Sequence, residues 1–557
     1  AYAEDLPEAF PVRPLGQADG VFRFLSARGE LVALTAGQLA QRATLVALFA
    51  GAPRAEEWLT WIAPKRARSQ DEGFNAARAA DFLMAACSAL PLYDQSTPVR
   101  HFGTWRGAGG LAVAHLGGAL ETSDGRRVRA GRLLDGAIYP AAHGRPGPGR
   151  ETADPARLYD LRCEIAAQWA WAEPHGADVL IGWCAMAALG QYPQWRAHLW
   201  LQGRPGSGKS TLLGIANALL GGMSAGVQDN ASPASIRQLT NNQALARIFD
   251  EAEGGGDHSV TEEMIALLRL MSAQDGARMA KGTADHKGVV FRLFGAGLMA
   301  SVVPGVMSPA DRTRFVILSL GRRPVAQGED AAARAALELA DVRAEAEALG
   351  PGLWRRMLVL APQRWDGAFA AYGGLVQALG GDGRAGDTIG TVLAGWDLAL
   401  HDGPPTEERL ARAAEIARPL LDAALEAEAE GEGERCLRAL LAYSIPKEHG
   451  GAVPAWDLVQ RLQVDDLDAS ADTQALLGRL GMRVLDGERG GRGLFVRNGE
   501  DPVVNAALAR TRWQHGNHRA ALLMLDGAGA SPGSVRVAGR KVRGVVVPAK
   551  HLPGGEG

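Results

Sequence analysis

The stretch Gly203-Arg204-Pro205-Gly206-Ser207-Gly208-Lys209-Ser210-Thr211 sets one glycine, four intervening residues, and then Gly-Lys-Ser. Backbone N–H groups of such a loop converge on phosphate oxygens, and a helix opening near Ser210 adds its positive dipole end. In that chemistry Lys209 reaches the β- and γ-phosphates of a nucleotide and Ser210 ligates Mg²⁺. The bland alternative is a tight turn that matches the spacing by chance. Against it, a short apolar strand, AHLWLQG from Ala197, runs into the loop, and STLLGIANALL leaves it as a helix. Strand, glycine-rich loop and helix are what phosphate binding needs.

A second cluster follows. ALARIFDEAE reads as an apolar strand ending in Asp250 and Glu251, and Asp250 lies 41 residues after Lys209. With this strand beside that of the loop, Asp250 would hold Mg²⁺ through water and Glu251 would act as general base; a helix-capping acidic pair is the alternative. The adjacent Glu points to hydrolysis rather than transfer to a small acceptor, for which the sequence offers no pocket. Next, ARMAKGTADHKGVVFRLFGAGLMASVVPG reads as strand, turn, strand and a further strand LMASVV. Its turn carries Lys281, His286 and Lys287 with Asp285, a cationic loop suited to a phosphate backbone or else a solvated turn. In SPADRTRFVILSL, Arg312 and Arg314 stand just ahead of an apolar strand, where alternation puts both on one face. Either could be an arginine finger on a neighbouring subunit's γ-phosphate, or pair with Asp311 or cap the strand.

The elements that must hold these residues are spread along 557 residues, enough for roughly three or four domains. Net charge is −3, so nucleic-acid contact has to be local rather than global. The four cysteines, Cys87, Cys163, Cys184 and Cys436, lie far apart, which argues against a disulfide framework or a zinc finger. The opening residues AYAEDLPEAF lack a basic stretch followed by an apolar one, and the longest apolar run, VLIGWCAMAALG from Val179, is too short for a bilayer. A cytoplasmic location and no membrane partner are expected. A first residue that is Ala rather than Met is what a processed or trimmed chain shows, and leaves room for an upstream domain.

Residues 1 to about 150 mix short apolar runs with turns: VFRFLSARGELVAL reads as two strands across Arg-Gly, and LAVAHLGGALETSDGRRVRAGRLL as a hairpin region around Asp124-Gly125. HGRPGPGRETADP, 143 to 155, marks a boundary. Beyond it Leu158, Leu161, Ile165 and Trp169 share one face of a helical spacing. DAAARAALELADVRAEAEAL and EERLARAAEIARPLLDAALEAEAEGEGE read as Ala/Leu/Glu-rich helices. ERCLRALLAYSI, PAWDLVQRLQV and ADTQALLGRLGMRVL read as three short helices and GERGGRGLFVRN as a hairpin, which suggests a winged-helix module. From Val503 onward eight Lys or Arg face only Asp526 and Glu556, and RVAGRKVRGVVVP alternates as one strand that could follow a phosphate backbone or be a cation-protected edge.

In order, these pieces resemble the AAA+ core of superfamily 3 helicases, and more closely the phage and mobile-element replicative helicases related to poxvirus-type primase-helicases. ALGQYPQWRAHLWLQGRPGSGKSTLL, SPASIRQLTNNQALARIFDEAE and AKGT…FRLFGAGLMASVVPGV…ADRTRF carry the likeness over about 160 to 320; PVRPLGQADGVFRFLSARGELVALTAGQL and RGAGGLAVAHLGGAL look like the preceding domain. The resemblance implies a hexameric ring, ATP and Mg²⁺ at subunit interfaces, pore hairpins and movement along single-stranded DNA. Nucleotide contacts fall on Gly203 to Thr211 and Asp250, the pore hairpin on Lys281 to Lys287, and the finger on Arg312 or Arg314. The family's sensor strand ends in Asn, whereas this chain has no Asn between Asn242 and Asn498; Ser301 is the nearest polar substitute. A primase or replication-initiation proteins are candidate partners, but residues 1–150 show no zinc-ligand cluster or acidic metal motif, so primase activity is not expected.

The expected architecture is therefore a multidomain α/β and α+β chain: an N-terminal α+β domain over 1–150, a helical collar over 155–195, an AAA+ P-loop core over 196–325, a helical region over 326–433 and a basic winged-helix-like module over 434–557. Beside the helicase reading stand a DNA-remodelling or loading ATPase and a nucleotide-gated DNA-binding scaffold. Stimulation by single-stranded DNA and the behaviour of Glu251→Gln would separate the three.

Overall fold

The computed structural model describes residues 6–64, 73–228, 236, 241–250, 258–273, 277–282, 288–301, 307, 309–322, 329–429, 431–447, 451–463, 470–487, 491–509, 511 and 513–552. It is a multidomain mixed α/β architecture, as the coarse class expected from sequence requires. At its centre lies a parallel sheet with strands β1 His198–Gly203, β2 Ser224–Gln228, β3 Ala246–Phe249, β4 Gly297–Ser301 and β5 Phe315–Leu320, in spatial order β2-β3-β4-β1-β5. All of its ladders are parallel.

Parallel strands covered on both faces must be apolar on both faces, and alternation then sorts their side chains into two layers. Leu199, Leu201, Leu298, Ala300, Val316 and Leu318 pack in one cluster with Leu212, Leu213, Ile215 and Ala216 of the helix Lys209–Leu220. Trp200, Phe249, Met299 and Phe315 pack on the other face with Met264, Ile265 and Leu268 of the helix His258–Met271.

Two expectations about this sheet are corrected. The strand ending at Asp250 is not the neighbour of the loop's strand, because β4 lies between β3 and β1; pairing order is set by how the crossovers pack, which local pattern does not encode. Nor do Arg312 and Arg314 share a strand face. Pro309–Arg312 is a helical turn, Thr313 and Arg314 continue as a turn, and β5 starts only at Phe315. Pro309, with φ preset for a first helical position, opens that turn.

The segment 1–150 holds two packing units. Val12, Phe24, Leu39, Phe49, Leu59, Leu83 and Cys87 form a core of their own. Trp105, Val113 and Tyr139 instead cluster with Ala244 and Phe294, and Phe102, Ala112 and Leu116 join the central core. The expected hairpins are present at Val21–Leu25 with Leu31–Thr35, and at Ala119–Thr122 with Arg127–Arg129.

C-terminal to the sheet a long helix, Glu329–Ala378, lies against the helix Gly383–Leu400, whose residues from Thr388 on are all buried. Glycines let it approach the helix Gly176–Ala188: a Cβ on Gly395 would stand 2.2 Å from the Gly182 carbonyl oxygen. Further on come helices Glu432–Ala442, Ala455–Gln463 and Ser470–Arg479 and the antiparallel pair Met482–Gly487 with Gly491–Arg497. Met482 to Leu485 is strand rather than helix, since Gly481 at φ +71° ends the helical run. The RVAGRKVRGVVVP stretch is not one strand either. It is a hairpin, Val535–Val537 with Arg540–Val542, turning at Ala538 and Gly539 with positive φ, followed by Gly544–Pro548, which pairs with Gly491–Arg497.

Candidate nucleotide site

The loop 203–208 leaves the carboxyl end of β1 and delivers the chain into the helix Lys209–Leu220. Its shape depends on glycine at two places: Gly206 has φ +81° and Gly208 φ +87°, a region that residues with a Cβ avoid. At Gly208 a Cβ would also stand 2.7 Å from Trp169 Nε1. That indole donates to the Gly208 carbonyl at 3.2 Å, so Trp169 braces the turn from outside. Trp169 is itself an extended residue ending the helix Pro155–Gln168, after the buried Leu158, Leu161 and Ile165.

The residues present fit a polyphosphate. Among the described residues no side chain caps the helix at Gly208, and the amino end of a helix is where backbone N–H groups attract an anion. Ser210 and Thr211 are exposed, as are Arg204, Pro205 and Gly206. Lys209 Nζ donates to the Gly203 carbonyl at 2.5 Å and the Arg204 carbonyl at 3.4 Å; these loop oxygens stand in for phosphate oxygens around the ammonium. Ser207 Oγ is buried with no hydrogen-bond partner among the described residues, an orphaned hydroxyl inside the loop. The Ser210 hydroxyl and the Asp250 carboxylate are hard oxygen donors of the kind Mg²⁺ takes.

In a parallel sheet all carboxyl ends share one edge, and ligands bind there. Asp250 follows β3 on that edge, its N–H donating to the Gln228 carbonyl at 3.2 Å. Ser301 ends β4 directly opposite Gln202, the residue before the loop; its Oγ is buried and accepts from Trp200 Nε1 at 2.8 Å. Gln202 Nε2 donates to Ser319 Oγ at 2.7 Å, and the Ser319 N–H donates to Glu173 Oε2 at 2.8 Å. Glu173, Gln202 and Ser319 were not singled out from sequence, and Trp169, expected on the helical face of Leu158, Leu161 and Ile165, is instead extended just past the helix end. For Gln202 and Ser319 a signal existed: apolar strands that turn polar only near their carboxyl ends.

Arg312 and Arg314 lie at the opposite, amino edge. His198 opposes Phe315 and Gly203 opposes Leu320, and the His198 N–H donates to the Arg314 carbonyl at 2.9 Å. The length of β1, about 20 Å at strand rise, separates them from the loop of their own chain. Arg314 lies 5.8 Å from the Trp195 ring centroid. Burial, and then the neighbouring Arg384 and Arg269, lower its pKa against the opposing pull of Asp311. At the same edge His198 is buried; its Nδ1 accepts the Gly297 N–H at 2.9 Å while Nε2 lies 2.7 Å from the Leu268 carbonyl. That arrangement requires the neutral, Nε2-protonated ring, and burial pushes its pKa down to about 3.

The expected hairpin is present, but Lys281 falls in its strand Ala277–Gly282, paired with Val289 of Gly288–Leu293, and not in the turn where it is expected from sequence. Glu251, His286 and Lys287 lie outside the described residues. Among the described residues no helix is long and apolar enough to cross a membrane.

No protein-family model matches this chain, and no curated protein does. Among solved structures, the apo structure of the NrS-1 C-terminal region (305–718) aligns with a TM-score of 0.35 at 10% identity over 96% of each chain. A full-length MCM homolog from Methanopyrus kandleri aligns with a TM-score of 0.31 at 15% identity over 56% of this chain and 74% of that one. At such scores neither likeness carries an argument, and the site rests on the residues of this chain.

Proposed function

We propose that this chain is an ATP hydrolase whose sites are completed between copies in a hexameric ring, and that the ring moves on single-stranded DNA as a helicase in phage or mobile-element replication. The observation that carries the reading is the loop 203–211 at the carboxyl edge of a five-stranded parallel sheet, with Asp250 and Ser301 on the same edge. The strand order, with β4 between β3 and β1, suits an AAA+ core of the kind the motif order resembles.

In this reading Gly203 to Thr211 cradle the phosphates, Lys209 exchanges its loop carbonyls for phosphate oxygens, and Ser210 and Asp250 hold Mg²⁺. Glu251 takes the proton of the attacking water, and Ser301 marks the end of the sensor strand. The nucleotide, when bound, supplies the free energy of its terminal phosphoanhydride. Because Arg312 and Arg314 sit at the far edge of their own sheet, their reach is to a neighbouring copy. Lys281, His286 and Lys287 meet the DNA strand, and the three C-terminal helices with their hairpin form a winged-helix module.

The test is DNA-stimulated ATP turnover together with strand displacement on a forked duplex. The wild type should show both, and Lys209→Ala should lose turnover on the order of 10²-fold or more. Turnover at full rate in a strict monomer, or no separation of a fork by an active ATPase, would overturn the helicase reading.

A further inference from the structure

The amino edge of the sheet carries a second guanidinium beside Arg314. Arg384, near the start of the helix Gly383–Leu400, lies 4.7 Å from the Trp195 ring centroid, and Arg314 lies 5.8 Å from the same ring. The frame around them is fixed by hydrogen bonds. Trp195 Nε1 donates to Thr388 Oγ1 at 3.1 Å, Thr388 Oγ1 donates to the Thr313 carbonyl at 2.7 Å, and Thr391 Oγ1 donates to the Trp195 carbonyl at 3.0 Å. Thr388 sits one turn after Arg384 on the same helix, so the indole and the hydroxyl tie that turn of the helix to Thr313, the residue just before Arg314.

Charge around this pair is mixed, with Arg269, Asp311, Asp387 and Asp382 beside Arg314 and Arg384. Arg269 pairs with Asp311 at 3.2 Å, and Asp387, one turn from Arg384, has its carboxyl pKa raised by burial, against the pull of Arg384. Two guanidiniums held near one ring, beside a hydrogen-bonded frame, bring two planar donor forks to one place, a donor set that suits a phosphate. The pair's own loop is a strand length away, so an anion of the same chain does not reach it.

We propose that Arg384 and Arg314 together receive the terminal phosphate of a nucleotide held by the loop 203–211 of a second copy of the chain, with Trp195 as the positioning residue. This rests on the reading that the loop holds a nucleotide, and adds to it a residue, Arg384, and a frame, Trp195–Thr388–Thr313. Arg384 is then the partner of the finger rather than a helix-surface charge.

The test uses the full chain without DNA, so that a nucleic-acid phosphate cannot occupy the pair. Self-association is measured by sedimentation velocity over a dilution series, in a slowly hydrolysed ATP analogue and in ADP. Arg384→Ala should weaken association about tenfold in the analogue and leave it unchanged in ADP, with an unaltered melting temperature; Arg384→Lys, which keeps the charge but not the planar fork, should fall between. Trp195→Phe, which keeps a ring but loses the bond to Thr388, should weaken association in the analogue alone. In a second arm, Lys209→Ala chains and Arg384→Ala chains, each defective alone, should regain ATP turnover on mixing. Wild-type association of Arg384→Ala in the analogue, or a mixture that regains nothing, overturns the proposal. If Arg314→Ala is impaired while Arg384→Ala is not, this inference alone fails. If Lys209→Ala still turns over ATP, the nucleotide reading beneath it fails.

Discussion

At the scale of single residues, the loop is held from both sides. Lys209 is drawn inward by the Gly203 and Arg204 carbonyls, and Trp169 presses from outside on the carbonyl of Gly208. Trp169→Phe removes one neutral hydrogen bond and keeps most of the packing. A loss of about 1 kcal/mol of loop order is expected, read as a several-fold rise in nucleotide Kd with little change in thermal stability. Gly208→Ala is harsher, since it adds a methyl at φ +87° and 2.7 Å from the indole nitrogen. That variant should lose binding of a fluorescent nucleotide analogue while its circular dichroism stays that of the wild type.

Among elements, the buried helix Gly383–Leu400 does two jobs. Its amino end carries Arg384 and Thr388, and its carboxyl end carries Asp397, fully buried and paired with Arg364 and Arg409 at 2.9 Å each. Removing the shared carboxylate leaves two largely buried cations facing each other. Asp397→Asn should therefore destabilise by about 3–5 kcal/mol, measured as a drop in the urea midpoint. The same helix meets Gly176–Ala188 through Gly182 and Gly395, where a built Cβ would reach a backbone oxygen at 2.4 and 2.2 Å. A close crossing of this kind keeps these two helices and the sheet in one core.

For the whole molecule, acid sensitivity follows from histidines buried as neutral rings. His198 has its pKa pushed down to about 3 and His115 to about 4, both chiefly by burial. A base whose folded pKa lies below its ordinary 6.5 binds fewer protons folded than unfolded between those values. Stability from these rings is thus complete above pH 6.5 and falls as the pH drops toward 4 and 3, by about 1.4 kcal/mol per pH unit for each ring. Urea midpoints taken from pH 7.5 to 4.5 should decline along that slope. In a His198→Gln, His115→Gln chain the decline between pH 6.5 and 5 should be shallower; an unchanged slope would assign the acid sensitivity to carboxylates.

By itself the amino-acid order determined the glycine-rich loop, the strand and helix on either side of it, the polar switch after Phe249, and the hairpins at Val21–Thr35 and Ala277–Leu293. These are local: spacing, turn residues and periodicity of a few neighbours suffice to encode them. Only the tertiary structure decided that β4 separates β3 from β1, that Arg312 closes a helical turn, and that Met482 begins a strand. It alone brought Trp169 to Gly208, 39 positions away, and Arg384 and Arg314 to one indole. Contacts between residues far apart in the chain are fixed by which apolar faces find each other in packing, and nothing in a window of ten or twenty residues records that choice.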